Sequence, residues 1–292
     1  MILTEQAFGK LNLALDVLGR RPDGYHDMRI VMQSVDLCDT VTVETGTREP
    51  WKLDCYRELD GVRHRGAYPQ DERNLAWRAA ECFCRGAGID PEGVAITICK
   101  RIPVQAGMAG GSADAAAVLR ALNRGYGAPF TTRQLCRLAE QIGSDVPYCV
   151  LGGTALAEGR GEILTRLNAI PEVWFVLAKP EFSVSTPTLF RAIDAQPIES
   201  RPELDAMLSA IEAGDAVRIG ALLKNVFQPV ASSQYPVVDR ICRQLLEDGA
   251  LGAQMTGTGS VVFGMFQSQA QATLAAQRVK AYVPEVFVSK PV

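Results

Sequence analysis

Pro103-Val104-Gln105-Ala106-Gly107-Met108-Ala109-Gly110-Gly111-Ser112-Ala113-Asp114-Ala115-Ala116-Ala117 is the stretch from which the fold is read. Before it, Val94, Ile96 and Ile98 alternate as in a strand with one buried face, and Ile102 and Pro103 end that run. After it, Ala115, Val118, Leu119 and Leu122 repeat at helical spacing up to a stop at Gly125. The segment therefore joins a strand to an alanine-rich helix. Glycine lets backbone approach a ligand closely and adopt positive φ. The unpaired N–H groups at the helix start, with the helix dipole behind them, make an anion site suited to phosphates. No Lys-Ser or Lys-Thr follows the glycines, which excludes a Walker A loop, and the G-x-G-x-x-G spacing of a dinucleotide fold is absent. A tight turn feeding a closely packed helix is the plainer reading. The three glycines, the serine at the helix start and the alanine run favour the phosphate site.

Outward from this loop, strand and helix signals mix. Leu11, Leu13, Leu15 and Val17 alternate with Asn12, Ala14 and Asp16, which predicts a strand with one buried face and puts Lys10 and Asn12 together on the other. Val41 and Val43, Trp174 to Ala178, and Val261 to Phe266 suggest further strands. Leu135, Leu138, Ala139 and Ile142 predict a helix, with Thr131 and Gln134 as a capping box and Gly143 beyond its end. Val238, Ile241, Cys242 and Leu245 mark another, begun by Pro236 and closed by Gly249; Ser268 and Gln271 open a last one. There is no regular βαβ alternation, so the fold class is α+β rather than a doubly wound sheet. A glycine-rich stretch between Gly152 and Ala169 predicts a boundary, dividing the chain into residues 1–160 and 161–292.

Composition narrows the partners. A net charge of −3 with scattered basic residues excludes a surface that neutralises a polyphosphate backbone, so no nucleic acid is expected. No apolar run is long enough to span a bilayer, and Glu5 and Gln6 interrupt any signal-peptide core, so the chain reads as cytosolic with no membrane partner. The eight cysteines form no C-x-x-C pair and read as buried reduced thiols; with only His26 and His64 besides, no metal site is expected.

Two polar residues stand out. Lys10 is either an ordinary exposed lysine or a fixed cation that offsets charge developing on a transferring phosphoryl group. Asp145, in Ile142-Gly143-Ser144-Asp145-Val146-Pro147, is either a turn-forming aspartate or a general base. A second small-residue loop, Met255-Thr256-Gly257-Thr258-Gly259-Ser260, precedes a strand. It reads as a bulge or turn, or as a close approach of backbone to a ligand or to the first glycine loop.

The loops at Pro103 to Ser112, Ile142 to Pro147 and Met255 to Phe263, in this order, resemble the GHMP kinase superfamily. Within it, Lys10-Leu11-Asn12-Leu13-Ala14-Leu15 and Gly19-Arg20-Arg21-Pro22-Asp23-Gly24-Tyr25-His26-Asp27 are similar to the kinases that act on a cytidine diphosphate-linked methylerythritol in non-mevalonate isoprenoid synthesis. Glu72-Arg73-Asn74-Leu75 and Gly159-Arg160-Gly161-Glu162-Ile163-Leu164 fit the same group. The resemblance runs over nearly the whole chain. It departs at Phe8-Gly9, where the family has Pro-Ala, and in the glycine loop, where another glycine and a second serine are usual.

The resemblance implies a ribosomal protein S5-like N-terminal domain that binds ATP and a ferredoxin-like C-terminal domain. It implies transfer of phosphate to the substrate's 2-hydroxyl, with Lys10 and Asp145 catalytic and ATP on Pro103 to Ser112. Asn74 and Lys100 then lie near the adenosine, Asn12 near the erythritol, and Tyr25, His26 and Phe190 at the cytidine. Gly257 and Thr258 join the substrate site. Magnesium is expected with ATP, held largely by phosphate and water. A homoserine or mevalonate kinase, or a non-catalytic nucleotide sensor, remain as alternatives. The assembly expected is a monomer or weak homodimer.

Overall fold

The computed structural model describes residues 1–47, 51–66, 68–90, 93–195 and 197–292. Two compact units interleave along the chain. The first is Met1–Gly9, Leu37–Ile102 and Ala109–Gly152; the second is Lys10–Asp36, Pro103–Met108 and Gly153–Val292. Strands β1 (Ile2–Arg20) and β2 (His26–Thr45) each pass from one unit to the other.

In the first unit the end of β2 pairs antiparallel with β5 (Val94–Cys99), Thr40 facing Cys99. β3 (Lys52–Leu59) lies parallel to β5, with Tyr56 opposite Cys99. It also forms a hairpin with β4 (Val62–His64) through Asp60 and Gly61, both at positive φ as a two-residue hairpin turn requires. A parallel pair needs a crossover, which α1 (Leu75–Ala87) supplies. Asn74 caps α1 by accepting from the Ala76 N–H (3.0 Å), and Gly88 ends it in the left-handed region. Helix α2 (Gly110–Gly125) is buried without a break from Ala113 to Leu119, so it is an internal helix rather than a surface one. Its alanines let α1 pack close beside it. α3 (Thr132–Glu140) has the predicted capping box between Thr131 and Gln134. α4 (Val146–Leu151) follows, so the apolar segment after Asp145 is a short helix.

In the second unit the start of β2 pairs antiparallel with β6 (Thr154–Gly159), and β6 with β7 (Ile163–Arg166). β8 (Trp174–Lys179) is followed by α5 (Thr186–Ala195), α6 (Leu204–Ala213) and α7 (Ala216–Ala221). The short β9 (Lys224–Asn225) lies parallel to β1, Leu15 opposite Asn225. Then come α8 (Gln228–Gln234), α9 (Val237–Glu247), β10 (Gly252–Met255), β11 (Val262–Phe266), α10 (Gln269–Lys280) and β12 (Glu285–Ser289). The antiparallel sheet order β10-β11-β8-β12, with α9 and α10 packed on it, is the ferredoxin-like β-α-β-β-α-β arrangement.

Two expectations are corrected here: the single buried face of β1 and the burial of every cysteine. β1 is buried on both faces over Lys10–Val17, because its polar side finds partners: Asp16 accepts from Arg201 (2.7 Å), and Lys10 donates to Asn12. The strand signalled by Val41 and Val43 is the tail of a much longer one, β2. Of the eight cysteines, all free, Cys99 and Cys136 are only half-buried. Among the described residues no helix is long and apolar enough to cross a membrane.

The two small-residue loops pack backbone to backbone within the second unit. The Val261 N–H donates to the Ala106 carbonyl (3.2 Å), and the Lys10 N–H to that of Met108 (3.1 Å). Gly107 has φ +75°, and a Cβ there would collide with the Thr256 carbonyl and lie 3.0 Å from the Gly259 nitrogen. Gly107→Ala is therefore expected to destabilise the fold by roughly 1–3 kcal/mol. An unchanged urea midpoint would show that the loops are not in this contact.

Burial pushes the Cys84 thiol up to about 11 and those of Cys55 and Cys242 to about 12, from an ordinary value of 9.0. A folded value above the unfolded one stabilises fully below pH 9.0 and is lost as pH rises through the folded values. The urea midpoint should thus hold between about pH 7 and 8 and fall by about pH 10, and replacing these three cysteines by alanine should flatten that fall.

Candidate active site

In the second unit, β1 carries Lys10 inward, 3% exposed, beside Asn12, whose Oδ1 accepts from its ammonium. Strand geometry puts residues two apart on one face, which is why these two meet. The Asn12 N–H donates to Thr256 Oγ1 (3.0 Å), and Gln254 Nε2 donates to the carbonyls of Asn12 (2.7 Å) and Leu13 (3.0 Å). Asn225, at the end of β9, donates to the carbonyls of Met255 (2.7 Å) and Gly257 (2.8 Å) while accepting from the Phe227 N–H (2.9 Å). The second glycine loop is thereby stapled to β1. A Cβ on Gly257 would lie 3.4 Å from Lys10 Nζ, so that glycine leaves the ammonium room. Thr258 Oγ1 is 2.9 Å from Thr186 Oγ1 at the head of α5.

The segment from Arg21 to His26 is the turn between β1 and β2. The Arg21 N–H donates to the Tyr25 carbonyl (2.7 Å), Asp23 accepts from the Tyr25 N–H (3.1 Å), and Gly24 takes φ +85°. Much of this block is thus turn chemistry. It delivers His26, buried, against Phe190 of α5: the rings stack at 4.5 Å, and Phe190 meets Phe227 edge-on at 4.9 Å. His26 Nε2 donates to Asp194 Oδ1 (2.8 Å). Two rings at 4.5 Å leave no room for a third ring between them. Tyr25 is exposed, with the Arg160 guanidinium 5.0 Å above its ring.

In the first unit, α2 is preceded by Ala109, which is in the left-handed region (φ +57°) and provides no side-chain cap. The first N–H groups of a long helix are therefore left open, as an anion site needs. A Cβ on Gly110 would press on Ile102 at 3.1 Å and lie 3.5 Å from Lys100 Nζ. The Lys100 ammonium is engaged on both sides, by Asp39 and by Asp114 Oδ2 (2.5 Å). Burial pulls it down, but the Asp114 and Asp39 charges more than reverse this, holding it above the usual lysine range. Burial pushes the Asp114 carboxyl well above the usual carboxylate range, against the pull of Lys100. Asn74 spends its oxygen on the α1 cap and its Nδ2 on the Pro69 carbonyl (2.9 Å). Asp145 heads α4, half-buried, and its carboxylate makes no capping bond. That leaves the group available as a base.

The structure brings Lys10, Asn12 and Gly257 together in one unit and Lys100 with Gly110 in the other. Sequence reading missed Asp39, Asn225, Gln254 and Thr256. Asp114 carried a signal: a lone acid in an alanine run, at a position the helix period buries.

The chain matches the family model of the GHMP kinases N-terminal domain over residues 74–153 and that of the GHMP kinases C-terminal domain over residues 207–285. It is 42% identical to a protein of Caldicellulosiruptor saccharolyticus named 4-diphosphocytidyl-2-C-methyl-D-erythritol kinase, over 97% of this chain and 95% of that one. A protein of the same name from Pelotomaculum thermopropionicum is 43% identical over 99% and 98%. A crystal structure of 4-(cytidine 5'-diphospho)-2C-methyl-D-erythritol kinase superposes with a TM-score of 0.78 at 32% identity, over 99% of both chains. A homoserine kinase of Cytophaga hutchinsonii also reaches 0.78, at 20% identity, and shares the fold alone. Sequence identity at this level, kept from end to end and joined to both halves of the family's architecture, makes this chain a member of the GHMP kinase family.

Proposed function

We propose that the chain transfers the γ-phosphate of ATP to the 2-hydroxyl of 4-diphosphocytidyl-2-C-methyl-D-erythritol, a step in non-mevalonate isoprenoid precursor synthesis. The observation that carries the reading is end-to-end similarity, above 40% identity, to proteins of that name. The buried Lys10 and the uncommitted Asp145 carboxylate support it.

Asp145 takes the proton of the acceptor hydroxyl as its oxygen bonds to the γ-phosphorus and the bond from that phosphorus to the β-phosphate oxygen breaks, releasing ADP. The Lys10 ammonium, oriented by Asn12, offsets the charge that gathers on the transferring group; its burial strengthens that interaction. Residues Pro103 to Ser112 hold the phosphates through backbone N–H groups, and the absence of a side-chain cap on α2 supports this. Asn74 and Lys100 face the adenosine with main-chain and stem atoms, since their polar tips are already engaged. Tyr25, the outer faces of His26 and Phe190, and Thr258 receive the cytidine half. Asn12 and Gly257 receive the erythritol half.

Magnesium bound with ATP would neutralise phosphate charge and would be held largely by the phosphates and water. Among the described residues no group of three or more His, Cys, Asp or Glu is placed to hold a metal. Residues 1–160 serve as the nucleotide-binding domain and 161–292 as the C-terminal domain, a division the separate extents of the two family models support. We place the enzyme in the cytosol as a monomer or weak homodimer acting on a free small molecule; its net charge of −3 disfavours nucleic acid.

Release of ADP from ATP, magnesium and the cytidine-linked substrate tests the reading. Asp145→Asn is expected to lower kcat by roughly 10²–10⁴-fold with ATP binding kept. Substrate lacking the cytidine should not turn over. ATP binding without any turnover would reject the reaction and favour a nucleotide sensor.

A further inference from the structure

We propose that Asp39 is a positioning residue for the phosphate loop, acting through Lys100 to pin both ends of the segment Pro103 to Ala109. The proposal rests on the phosphate-loop reading above. β5 ends at Cys99, so the N–H groups of Arg101 and Ile102 lie beyond its ladder. Asp39 Oδ1 accepts from both, at 2.5 and 2.8 Å. Its Oδ2 accepts from Lys100 Nζ, which reaches on to Asp114 Oδ2 (2.5 Å) in the second turn of α2. One fully buried carboxylate in the second half of β2 thus fixes the chain where it leaves the first unit and, through one ammonium, where it returns.

The chemistry suits fixing rather than catalysis. None of the three side chains is more than 6% exposed, so water does not compete for these bonds, and charge-assisted bonds out of water are among the strongest a protein makes. A loop whose ends are fixed before ligand arrives loses less conformational freedom when its N–H groups close on phosphate. Without the clamp, ordering of the loop is charged to ATP binding. The acceptor substrate gains nothing from it. The signature is a rise in KM for ATP with KM for the acceptor unmoved.

Asp39→Asn separates these effects. The asparagine oxygen still accepts from Arg101 and Ile102, but its NH₂ then faces the Lys100 ammonium, donor against donor, and the link to α2 breaks. Hydrogen exchange on the ligand-free protein is the first readout. In wild type, the Arg101 and Ile102 amides should be as protected as those of β5; in the variant, amides of residues 104–112 should exchange about tenfold faster. KM for ATP should rise about tenfold while KM for the acceptor stays within about twofold. Phe83→Leu, in the buried face of α1 and without a bond to the loop, controls for lost stability: it should lower the denaturation midpoint and leave both loop exchange and KM for ATP unchanged.

Equal shifts in the two variants would overturn the proposal, as would a folded Asp39→Asn with wild-type loop exchange. If Asp39→Asn does not fold, the wild-type protection of Arg101 and Ile102 decides alone, and exchange at loop rates refutes the clamp. Wild-type protein that neither binds nor consumes ATP overturns the phosphate-loop reading, and with it the role given to Asp39, whatever the exchange data show.

Discussion

A lysine ammonium held between two buried carboxyl groups sits at the root of this structure. Asp114 is placed on the inner face of an alanine-rich helix, where an isolated charge would be prohibitive. Lys100 offsets it, Asp39 completes the pairing, and together they join the second half of β2, the exit of β5 and the start of α2. Removing either partner would strand the others without water, so this charge cluster constrains its neighbours more tightly than an apolar contact of the same size. The helix start that it holds has no side-chain cap. Stability and a candidate binding surface are thus built from the same few residues.

The second unit reaches a similar end with glycine. Gly107 and Gly257 remove the side chains that would keep two loops apart, and backbone hydrogen bonds fill the gap. Around them Asn225, Gln254 and Thr256 satisfy main-chain groups with side-chain amides and a hydroxyl, which a buried loop needs in place of a ladder. Lys10 is presented against this frame with Asn12 as its partner. The hairpin block from Arg21 to His26 likewise joins a self-bonded turn to an aromatic cluster of His26, Phe190 and Phe227.

Periodic segments were legible in the sequence. The alternation around Leu11 to Val17, the stripe from Ala115 to Leu122 and the Thr131 capping box all correspond to observed elements. Length was less legible: β2 extends well before Val41 because its middle is buried on both sides and loses the alternation that marks a strand. The burial of both faces of β1 was hidden for a related reason. Lys10, Asn12 and Asp16 look solvent-facing until partners from distant segments, such as Arg201, are brought to them. The small-residue stretch near Gly257 read equally as a turn or a close approach, and only the position of Gly107 distinguishes these.

By itself the sequence determined the α+β class, the strand–loop–helix that opens at Gly110, and the family, because these rest on local spacing and on motifs that survive without coordinates. Tertiary structure alone decided what the polar residues do. Lys100 is a buried ion-pair partner of Asp39 and Asp114 rather than a free cation, the tips of Asn74 serve a helix cap and a carbonyl, and His26 covers the face of Phe190. The physical reason is that a charge or amide acquires its role from the partner that replaces water. Those partners, Asp39 for Lys100 and Asp194 for His26, stand 61 and 168 residues away, beyond the reach of any local pattern.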